Sequence, residues 1–486
     1  MISLQIDSHR SYQQRCRCLL QKHYKNLHQL PKSIRKTIHL AFSADLSHVD
    51  RIMREHYSKF GPAPRPASCM LRSLILSILQ GTSSITKWVD LMRSNSLYAI
   101  ISGFSPDDVP GVGTFYDFIS RLWKSDHKNF SPNIRMKTPK VKKPKHKGDK
   151  ADPVGKTTAE ERLNTYLNSP INADQPFSIL FKIFEQFLFI SHRQGLIDLN
   201  NLNLAGDGTP VVTSARFRNR NLLESEFNDS YKDDERYFSQ PDCDVGWDSS
   251  RYCYYVGSDL YLLTDIKKDL PIFPLLGPGS RHDSIACIDT WFSMKSHMPY
   301  AKVNSILLDS AHDAMCYYKY FEQRHITPYI DLNRRASKPE LRDGFYLDDN
   351  HQLICPSGKK MWRDGTDYKR MRTKYVCPMQ VKLSKMTVST CESQPTDSLR
   401  GCVMYLTHKE NPRYFTVPAR NSQQWKTMYN KRTSSERCNK RIKNDFKLED
   451  GKHRSSQMWY FRLYCIMMCQ HLNAWSLPMG SEPWMN

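Results

Sequence analysis

Two aspartates, Asp207 and Asp309, follow short apolar segments that predict β-strands, residues 201–208 (NLNLAGDG) and 303–310 (VNSILLDS). A carboxylate just beyond a strand lies at the edge of a sheet, where neighbouring strands bring such groups together. Paired carboxylates bind hard divalent cations through oxygen, which suits Mg²⁺ or Mn²⁺. Each aspartate alone also fits a turn or cap residue, so it is their shared context that favours a metal site.

A third carboxylate, Glu436, lies in residues 428–446 (MYNKRTSSERCNKRIKNDF), which predict a helix. At about 100° per residue, one arc of roughly 80° on this helix carries Tyr429, Arg432, Glu436, Lys440 and Lys443. The arc surrounds one glutamate with cations, whereas a solvated face usually mixes charges of both signs. Taken alone, the pattern also fits an ordinary exposed basic helix.

In order and spacing, these residues resemble the motifs of DDE transposases from bacterial insertion sequences. Tyr429-x2-Arg432-x3-Glu436-x6-Lys443 is similar to the Tyr-Arg-Glu-Lys signature of the insertion-sequence "four" family, a match expected by accident on the order of once in a hundred for a chain of this length. The first- and second-aspartate motifs of these enzymes resemble residues 205–211 (AGDGTPV) and 307–313 (LLDSAHD). A segment between them resembles residues 280–284 (SRHDS).

The resemblance covers residues 200–445 and has two departures from the narrow family. His312 stands where related enzymes often carry an aromatic residue or Gly-Tyr. The cysteine-bearing stretch between Asp309 and Glu436 resembles related transposases outside the "four" family. Neither departure involves the three acids.

The resemblance implies a ribonuclease-H-like fold in which Asp207, Asp309 and Glu436 form a catalytic triad that binds two Mg²⁺ or Mn²⁺ ions. Two metal ions about 4 Å apart stabilise the attacking and leaving oxygens of a phosphodiester displacement. Water first frees a 3′-OH at the element's end, and this hydroxyl then attacks target DNA. The implied partners are inverted-repeat transposon ends and target DNA, bound by a homodimer. The implied DNA-binding residues are Tyr429, Arg432, Lys440, Arg441, Lys443, Arg281 and His282, since guanidinium and ammonium groups match phosphate.

The overall charge agrees with a nucleic-acid partner. Lys and Arg number 71 against 49 Asp and Glu, which gives a formal charge of +22. Such an excess attracts polyanions, although a basic surface alone does not establish DNA binding. With 486 residues, 39% of them hydrophobic, the chain is long enough for two to four structural units with a sizeable core.

The sequence divides into five predicted segments. Residues 1–130 predict a helical DNA-binding module, with helices at 70–80, after Ser84 and within 110–123. Residues 131–160 predict a basic linker, because 133–150 hold eight Lys or Arg and a single Asp. The α/β core is predicted at 161–337, a β-rich insertion at 338–420, and a catalytic helix with a helical end at 421–486. The core includes predicted strands at 251–265 and 271–276 and predicted helices at 283–297 and 311–325.

The insertion contains Cys355, Cys377, Cys391 and Cys402, at spacings of 22, 14 and 11 residues. Four thiolates could hold a structural zinc ion. Because no Cys-x2-Cys pair occurs here, free thiols in a small β-rich insertion are the favoured interpretation.

Three further features concern location. The N-terminus lacks an apolar core followed by small residues, so no signal peptide is predicted. Residues 458–469 (MWYFRLYCIMMC) are too few for a membrane helix and contain Arg462, which favours a buried helix. Fourteen cysteines without a secretory signal indicate reduced thiols. We expect a cytoplasmic, nucleoid-associated protein without membrane contact.

Two other functions use the same features. A nuclease of the same fold would cut DNA without joining it, with the same three acids. A transposon-derived DNA-binding protein that has lost catalysis is the other alternative, but it would be free to lose any of these acids, and all three are present.

Overall fold

The protein is α/β, with helices and a mixed β-sheet, as the order of the sequence patterns predicts. The computed structural model describes residues 8–58, 60–130, 158–171, 174–216, 238–333, 338–383, 386–392 and 396–475. Most of the predicted linker, including the basic segment 133–150, lies outside these residues. The chain forms two compact units. Unit 1 contains Met1–Leu202, Gly206–Lys302 and Ser434–Asn486, and unit 2 contains Asn203–Ala205 and Val303–Thr433.

Unit 1 begins with helices. In chain order they are α1 (His9–His23), α2 (Lys32–Ser43), α3 (Ser47–Met53), α4 (Ala67–Leu79), α5 (Ile85–Ser94), α6 (Ser96–Ser102), α7 (Val112–Arg121), α8 (Ala159–Asn168) and α9 (Ser178–Arg193). The three helices predicted within 1–130 correspond to α4, α5 and α7. Helix α4 is buried along almost its whole length, and Ser84 caps α5 by accepting the Lys87 N–H. The sequence pattern does not separate α6 from α5, because only Asn95 lies between them; the Asn95 side chain caps α6 by accepting the Leu97 N–H.

The strands of unit 1 follow these helices. They are β2 (Asp244–Asp248), β3 (Cys253–Asp265), β4 (Leu270–Pro278) and the Gly206–Val212 part of β1 (Leu202–Val212). Strand β3 pairs antiparallel with both β2 and β4, and β1 is its other neighbour. Strand β3 is almost entirely buried from Tyr255 onward, which explains its long apolar run. The predicted helix 283–297 is α10 (Asp283–His297), so its bounds are confirmed.

The prediction that Asp207 ends its strand is wrong, because β1 continues beside β3 to Val212. Unit 2 contains the strand that ends directly before Asp309, as predicted. In this unit, residues Asn203–Ala205 of β1 are followed in sheet order by β5 (Val303–Leu308) and β6 (Thr327–Ile330), and β5 and β6 are parallel. The helix predicted at 311–325 is shorter: a 3₁₀ turn, Ser310–His312, precedes α11 (Met315–Glu322). Asp309 caps this turn, so the chain bends before the helix can begin.

The rest of unit 2 is rich in short strands, as predicted for the insertion. They are β7 (Tyr346–Leu347), β8 (Leu353–Ile354), β9 (Trp362–Asp367), β10 (Arg372–Val376), β11 (Gln380–Leu383), β12 (Met386–Ser389) and β13 (Val403–Thr407). Strand β10 lies between β9 and β13, antiparallel to both. Strands β11 and β12 form a separate hairpin.

The single helix predicted over 428–446 is wrong in detail. Helix α12 (Gln423–Tyr429) is followed by a 3₁₀ turn, Asn430–Arg432, then by α13 (Thr433–Lys440) and by a π-helical turn, Arg441–Asp445. A 3₁₀ turn advances about 120° per residue and a π turn less than an α-helix does, so the predicted arc is not continuous. Unit 1 takes up the chain again at Ser434.

The last helix of unit 1, α14 (Ser456–Ala474), contains the apolar segment 458–469 and is buried, as expected. Arg462 is tolerated there because its guanidinium donates to the carbonyl oxygens of Phe446, Lys447 and Leu448. None of the helices within the described residues has the length and apolar character needed to cross a bilayer.

Candidate active site

In unit 1, the strand that carries Asp207 contacts the helix that carries Glu436. The Asn439 side chain donates from Nδ2 to Asp207 Oδ2 at 3.2 Å, across 232 residues of sequence. Glu436 precedes Asn439 by three residues on α13, so the two side chains are neighbours on one helix face. Asn439 is buried and Glu436 is exposed. The same face of α13 therefore holds the Asp207 carboxylate and presents a second carboxylate to solvent.

The residue after Asp207 is a glycine in a crowded position. Side chains alternate along a strand, so Asp207 and position 208 point to opposite faces of β1. A Cβ atom at Gly208 would overlap Asp283 Oδ1 and would lie 3.4 Å from Asp259 Oδ1. The absence of a side chain at position 208 lets the Asp283 carboxylate approach the strand behind Asp207.

Asp259, on β3, is a buried acid whose ionised form is disfavoured. It is 6% exposed, and its Oδ2 has no hydrogen-bond partner among the described residues. Burial raises the pKa of Asp259 well above its usual value, and the charges of Asp283 and Asp207 raise it further. Arg281 and Lys443 act in the opposite direction without offsetting this. Burial is therefore the main reason why ionising Asp259 is costly, and two neighbouring carboxylates add to that cost.

The raised pKa of Asp259 predicts a pH-dependent gain of stability when its charge is removed. An acid whose pKa is raised by folding destabilises the folded state once the pH exceeds its unfolded pKa of about 3.9. We expect Asp259→Asn to raise Tm at pH 8 relative to the parent, and to do so less at pH 4, in thermal unfolding followed by circular dichroism.

Asp248, at the end of β2, is a matched control of opposite sign. It is also buried, and burial raises its pKa, but hydrogen bonds from Ser250 and Arg251 outweigh burial and lower it. A carboxyl with a lowered pKa stabilises the fold above its unfolded pKa, and this contribution is lost as the pH falls. Asp248→Asn should therefore lower Tm at pH 8 and do so less at pH 4. Shifts of the same sign for both variants would contradict the destabilising role assigned to the Asp259 charge.

In unit 2, the Asp309 carboxylate is held in a fixed orientation. Its Oδ1 accepts the Ala311 N–H at 3.0 Å and lies 2.7 Å from His312 Nδ1. Burial alone would raise the pKa of Asp309, but the contacts with His312 and Ala311 and the charge of Arg432 lower it. His312 is buried, and its ring packs against the Asp309 carboxylate.

Two predicted DNA-binding residues of unit 2 lie near Asp309. The Tyr429 ring stacks on Trp425, with centroids 4.7 Å apart. Burial and the charges of Asp331 and Asp309 raise the pKa of Tyr429 to about 12, while the charge of Arg432 and a hydrogen bond with it lower it. Tyr429, Arg432 and Asp309 therefore share one electrostatic environment, although Asp309 is more than a hundred residues from the other two in sequence.

The other predicted DNA-binding residues, all in unit 1, differ in what their side chains contact. Lys443 donates to the Pro210 carbonyl oxygen at 2.7 Å and pairs with Glu449 at 3.3 Å. Arg441 bonds Gln470 at 3.0 Å as well as the Asp269 carbonyl. By contrast, Lys440 is exposed on α13.

The segment before α10 contributes two more of these residues. Arg281 pairs with the buried Asp289 at 3.1 Å. His282 is exposed, and its ring caps α10 by accepting the Ser284 N–H at 3.2 Å. Arg281 therefore supports the packing of α10, whereas the His282 side chain reaches the surface.

The donor types suit a hard divalent cation. Asp207 and Glu436 in unit 1, and Asp309 in unit 2, offer carboxylate oxygens, the ligands that Mg²⁺ and Mn²⁺ prefer. Near Asp207 in unit 1, the buried Asp259 has an oxygen without a hydrogen-bond partner among the described residues, and the charge of Asp207 raises the pKa of Asp259. Within the described ranges, no three His, Cys, Asp or Glu side chains form a ready-made metal site.

Several residues of this site were not identified from the sequence: Asn439, Gly208, Asp259 and Asp283. Asp259 left a signal, because a single charged residue inside a long apolar strand is expensive to bury without a partner. Asn439 left none, because its role depends on a tertiary contact. In comparisons with known proteins, no family model, no curated protein and no solved structure matches this chain.

Proposed function

We propose that this protein is a DDE-type DNA transposase with a ribonuclease-H-like core, which cuts the ends of its own mobile element and joins the freed 3′-OH to target DNA. The observation that carries the proposal is the hydrogen bond between Asn439 and Asp207, which brings the Glu436 helix to the Asp207 strand across 232 residues. In unit 2, Asp309 shares an environment with Tyr429 and Arg432. The motif order of the sequence groups the same residues.

The proposed catalytic acids are Asp207, Asp309 and Glu436. Divalent cations held by such carboxylates stabilise the attacking and leaving oxygens of an in-line displacement at phosphorus. The chain's own contribution is orientation. Asn439 fixes one oxygen of Asp207, and His312 with the Ala311 N–H fixes one oxygen of Asp309, so the remaining oxygens are directed before a ligand arrives.

Among the predicted phosphate ligands, the structure favours Arg432, Lys440 and His282. Lys440 and His282 are exposed, and Arg432 is half-buried near Asp309. Arg441 and Lys443 already bond main-chain carbonyl oxygens or side chains of unit 1. We assign these two cations to positioning: Lys443 fixes the end of β1 through Pro210.

The decisive experiment incubates the purified full-length chain with Mg²⁺ and the inverted-repeat ends that flank its gene. We expect cleavage that leaves 3′-OH ends, followed by their covalent joining to a supercoiled target plasmid. Cleavage without joining would replace the proposal with a nuclease. Binding without cleavage in either Mg²⁺ or Mn²⁺ would favour the DNA-binding protein that has lost catalysis.

DNA could be bound by a specific phosphate-binding surface or by the overall positive charge of the protein. If a built surface binds phosphates, Arg432→Gln should weaken binding of cleaved ends about tenfold, because a charge-assisted hydrogen bond to phosphate contributes about 1.5 kcal/mol or more. Lys22→Gln and Lys25→Gln, which remove exposed cations of unit 1, should weaken binding less than about twofold. Equal losses in all three variants, measured by fluorescence anisotropy across a salt series, would mean that bulk charge explains the affinity.

A further inference from the structure

The four cysteines of the predicted insertion lie in one buried core of unit 2. All four cysteines are buried, and no described cysteine of the chain forms a disulfide. The core around them is small: Leu332, Leu347, Leu353, Cys355, Met361, Tyr375, Cys377, Cys391, Cys402, Met404, Leu406, Tyr414 and Phe415. Its four cysteines come from four separate segments of the chain.

These four cysteines, the cysteine ring, are linked through two serine side chains, a main-chain hydrogen bond and short stretches of sequence. Two serines provide the first part: Ser389 Oγ lies 3.6 Å from Cys377 Sγ and accepts the Cys391 N–H at 3.3 Å. The Cys391 thiol then contacts Ser357 Oγ at 3.8 Å, two residues beyond Cys355 in the chain.

A main-chain hydrogen bond provides the second part of the ring. The Cys377 N–H donates to the Cys402 carbonyl oxygen at 2.8 Å, so these two residues are adjacent. Cys355 and Cys402 belong to the same buried cluster as Cys377 and Cys391. The four cysteines therefore lie in one small region of unit 2.

A tight turn presents the first cysteine to the others. In Cys355-Pro-Ser-Gly, the Gly358 N–H donates to the Cys355 carbonyl oxygen at 2.8 Å, and Gly358 has a φ of +73° that favours glycine. The Cys355 N–H donates to the Lys359 carbonyl oxygen at 2.9 Å, which closes the turn. The backbone here is fixed by its own hydrogen bonds, so Cys355 projects from a rigid support.

The strands around this core are too short to stabilise it by themselves. Strands β7 and β8 have two residues each, and β9 is mostly exposed. Residues 358–385 carry nine Lys or Arg against two Asp, so like charges repel across the surface of this small core. A structural metal would add stability to this β-rich part of unit 2, because metal binding contributes directly to the free energy of folding.

We propose that Cys355, Cys377, Cys391 and Cys402 bind one structural Zn²⁺ ion as a tetrahedral four-thiolate site. The spacings alone favour free thiols because no Cys-x2-Cys pair exists, but tight turns and paired strands bring distant cysteines together without one. Binding replaces each S–H by an S–Zn bond, with the protons released to solvent and no change of oxidation state. Among the described residues these thiols do not form a preformed metal site, so the side chains must turn toward the ion to reach the usual Zn–S distance of about 2.3 Å. This proposal is independent of the DNA chemistry.

The test begins with the metal content of the full-length chain, purified under reducing conditions without added metal. We expect about one zinc per chain by mass spectrometry of the element. After exchange, Co²⁺ should give the sulfur-to-metal charge-transfer band and the intense visible bands of a tetrahedral thiolate site. Chelation should lower Tm, and added Zn²⁺ should restore it. A chain that neither contains zinc nor takes up added Zn²⁺ or Co²⁺ would overturn the proposal.

Variants identify the ligands and guard against misfolding. Cys377→Ser should weaken Zn²⁺ binding at least tenfold, whereas Cys377→His should retain about one zinc, because three cysteines and one histidine also form structural zinc sites. Cys316→Ser is the matched control, since this half-buried cysteine of α11 belongs to unit 2 but not to the ring. Equal zinc loss in the Cys316→Ser and Cys377→Ser variants would contradict the assignment, as would a disulfide within the ring in the reduced protein. All these measurements are made without DNA.

Discussion

Glu436→Gln should reduce cleavage of the element's ends by about a thousandfold or more and leave binding of the same ends equal or slightly stronger. The substitution keeps the size and hydrogen-bonding capacity of the side chain and removes only its charge. Glu436 is exposed on the α13 face whose Asn439 holds Asp207, so its charge adds to the negative potential that attracts a cation. Binding should not suffer, because the lost charge repels phosphate and the neighbouring Lys440 remains.

The matched control is Asp445→Asn, which removes an exposed acid from the π-helical turn that follows α13. It should leave both cleavage and binding within about twofold of the parent, as surface substitutions usually do. Single-turnover cleavage and anisotropy on the same labelled ends give the two readouts. Undiminished cleavage by Glu436→Gln would remove Glu436 from the active site and with it the proposed function. Loss of cleavage and binding together, with a lower Tm, would assign this helix a folding role.

Much of the site's framework was predictable because it depends on local patterns. An apolar run that ends in an aspartate predicted β1 and β5, and the segment 283–297 has the bounds of α10. Such signals lie within about fifteen residues of each other. They place Asp309 directly after β5, as predicted, but the strand-end prediction for Asp207 is wrong, because β1 continues past it to Val212.

What could not be predicted depends on contacts between distant segments. The helix expected to be continuous over 428–446 is interrupted at both ends of α13. These interruptions could not be predicted, because hydrophobic and polar periodicity does not distinguish an α-helix from 3₁₀ or π turns. Lys443 matched a phosphate-binding motif by spacing, yet its ammonium group bonds Pro210 and Glu449. A sequence pattern indicates which helix face a side chain occupies, but it does not indicate which residue that side chain contacts in the folded protein.

For the four cysteines of the insertion, the sequence spacing favoured separate free thiols, whereas the fold brings them into one buried cluster. Spacings of 22, 14 and 11 residues match no zinc motif that consists of adjacent pairs. The contact between Cys377 and Cys402 arises from the chain returning beside itself as β13 pairs with β10, a pairing that no local window contains. Linear spacing is informative only when both ligands of a pair lie on one turn.

Gly208→Ala should lower the free energy of unfolding by about 1–3 kcal/mol, the usual cost of forcing extra volume into a packed site. The added methyl group overlaps the Asp283 carboxylate, so the Asp283 side chain, β1 or the start of α10 must move. Asp207 precedes Gly208 on the same strand, and displacing a catalytic group by about 1 Å can reduce the rate about a hundredfold. We therefore expect cleavage to fall by at least that factor in single-turnover assays, with a lower Tm.

Two further variants separate a specific overlap from a general effect of the substitution. Gly113→Ala, in α7, meets no atom within 4 Å and should stabilise the fold by about 0.5–1 kcal/mol, because alanine restricts the unfolded chain and favours the helix. Adding Asp283→Ser to Gly208→Ala removes the overlapping carboxylate, so the double variant should recover Tm relative to Gly208→Ala. The coupling between the two positions in a double-mutant cycle should exceed about 0.5 kcal/mol. Additive effects would show that Asp283 does not pack against β1 at this point, and the backbone position of Asp207 would then need another explanation.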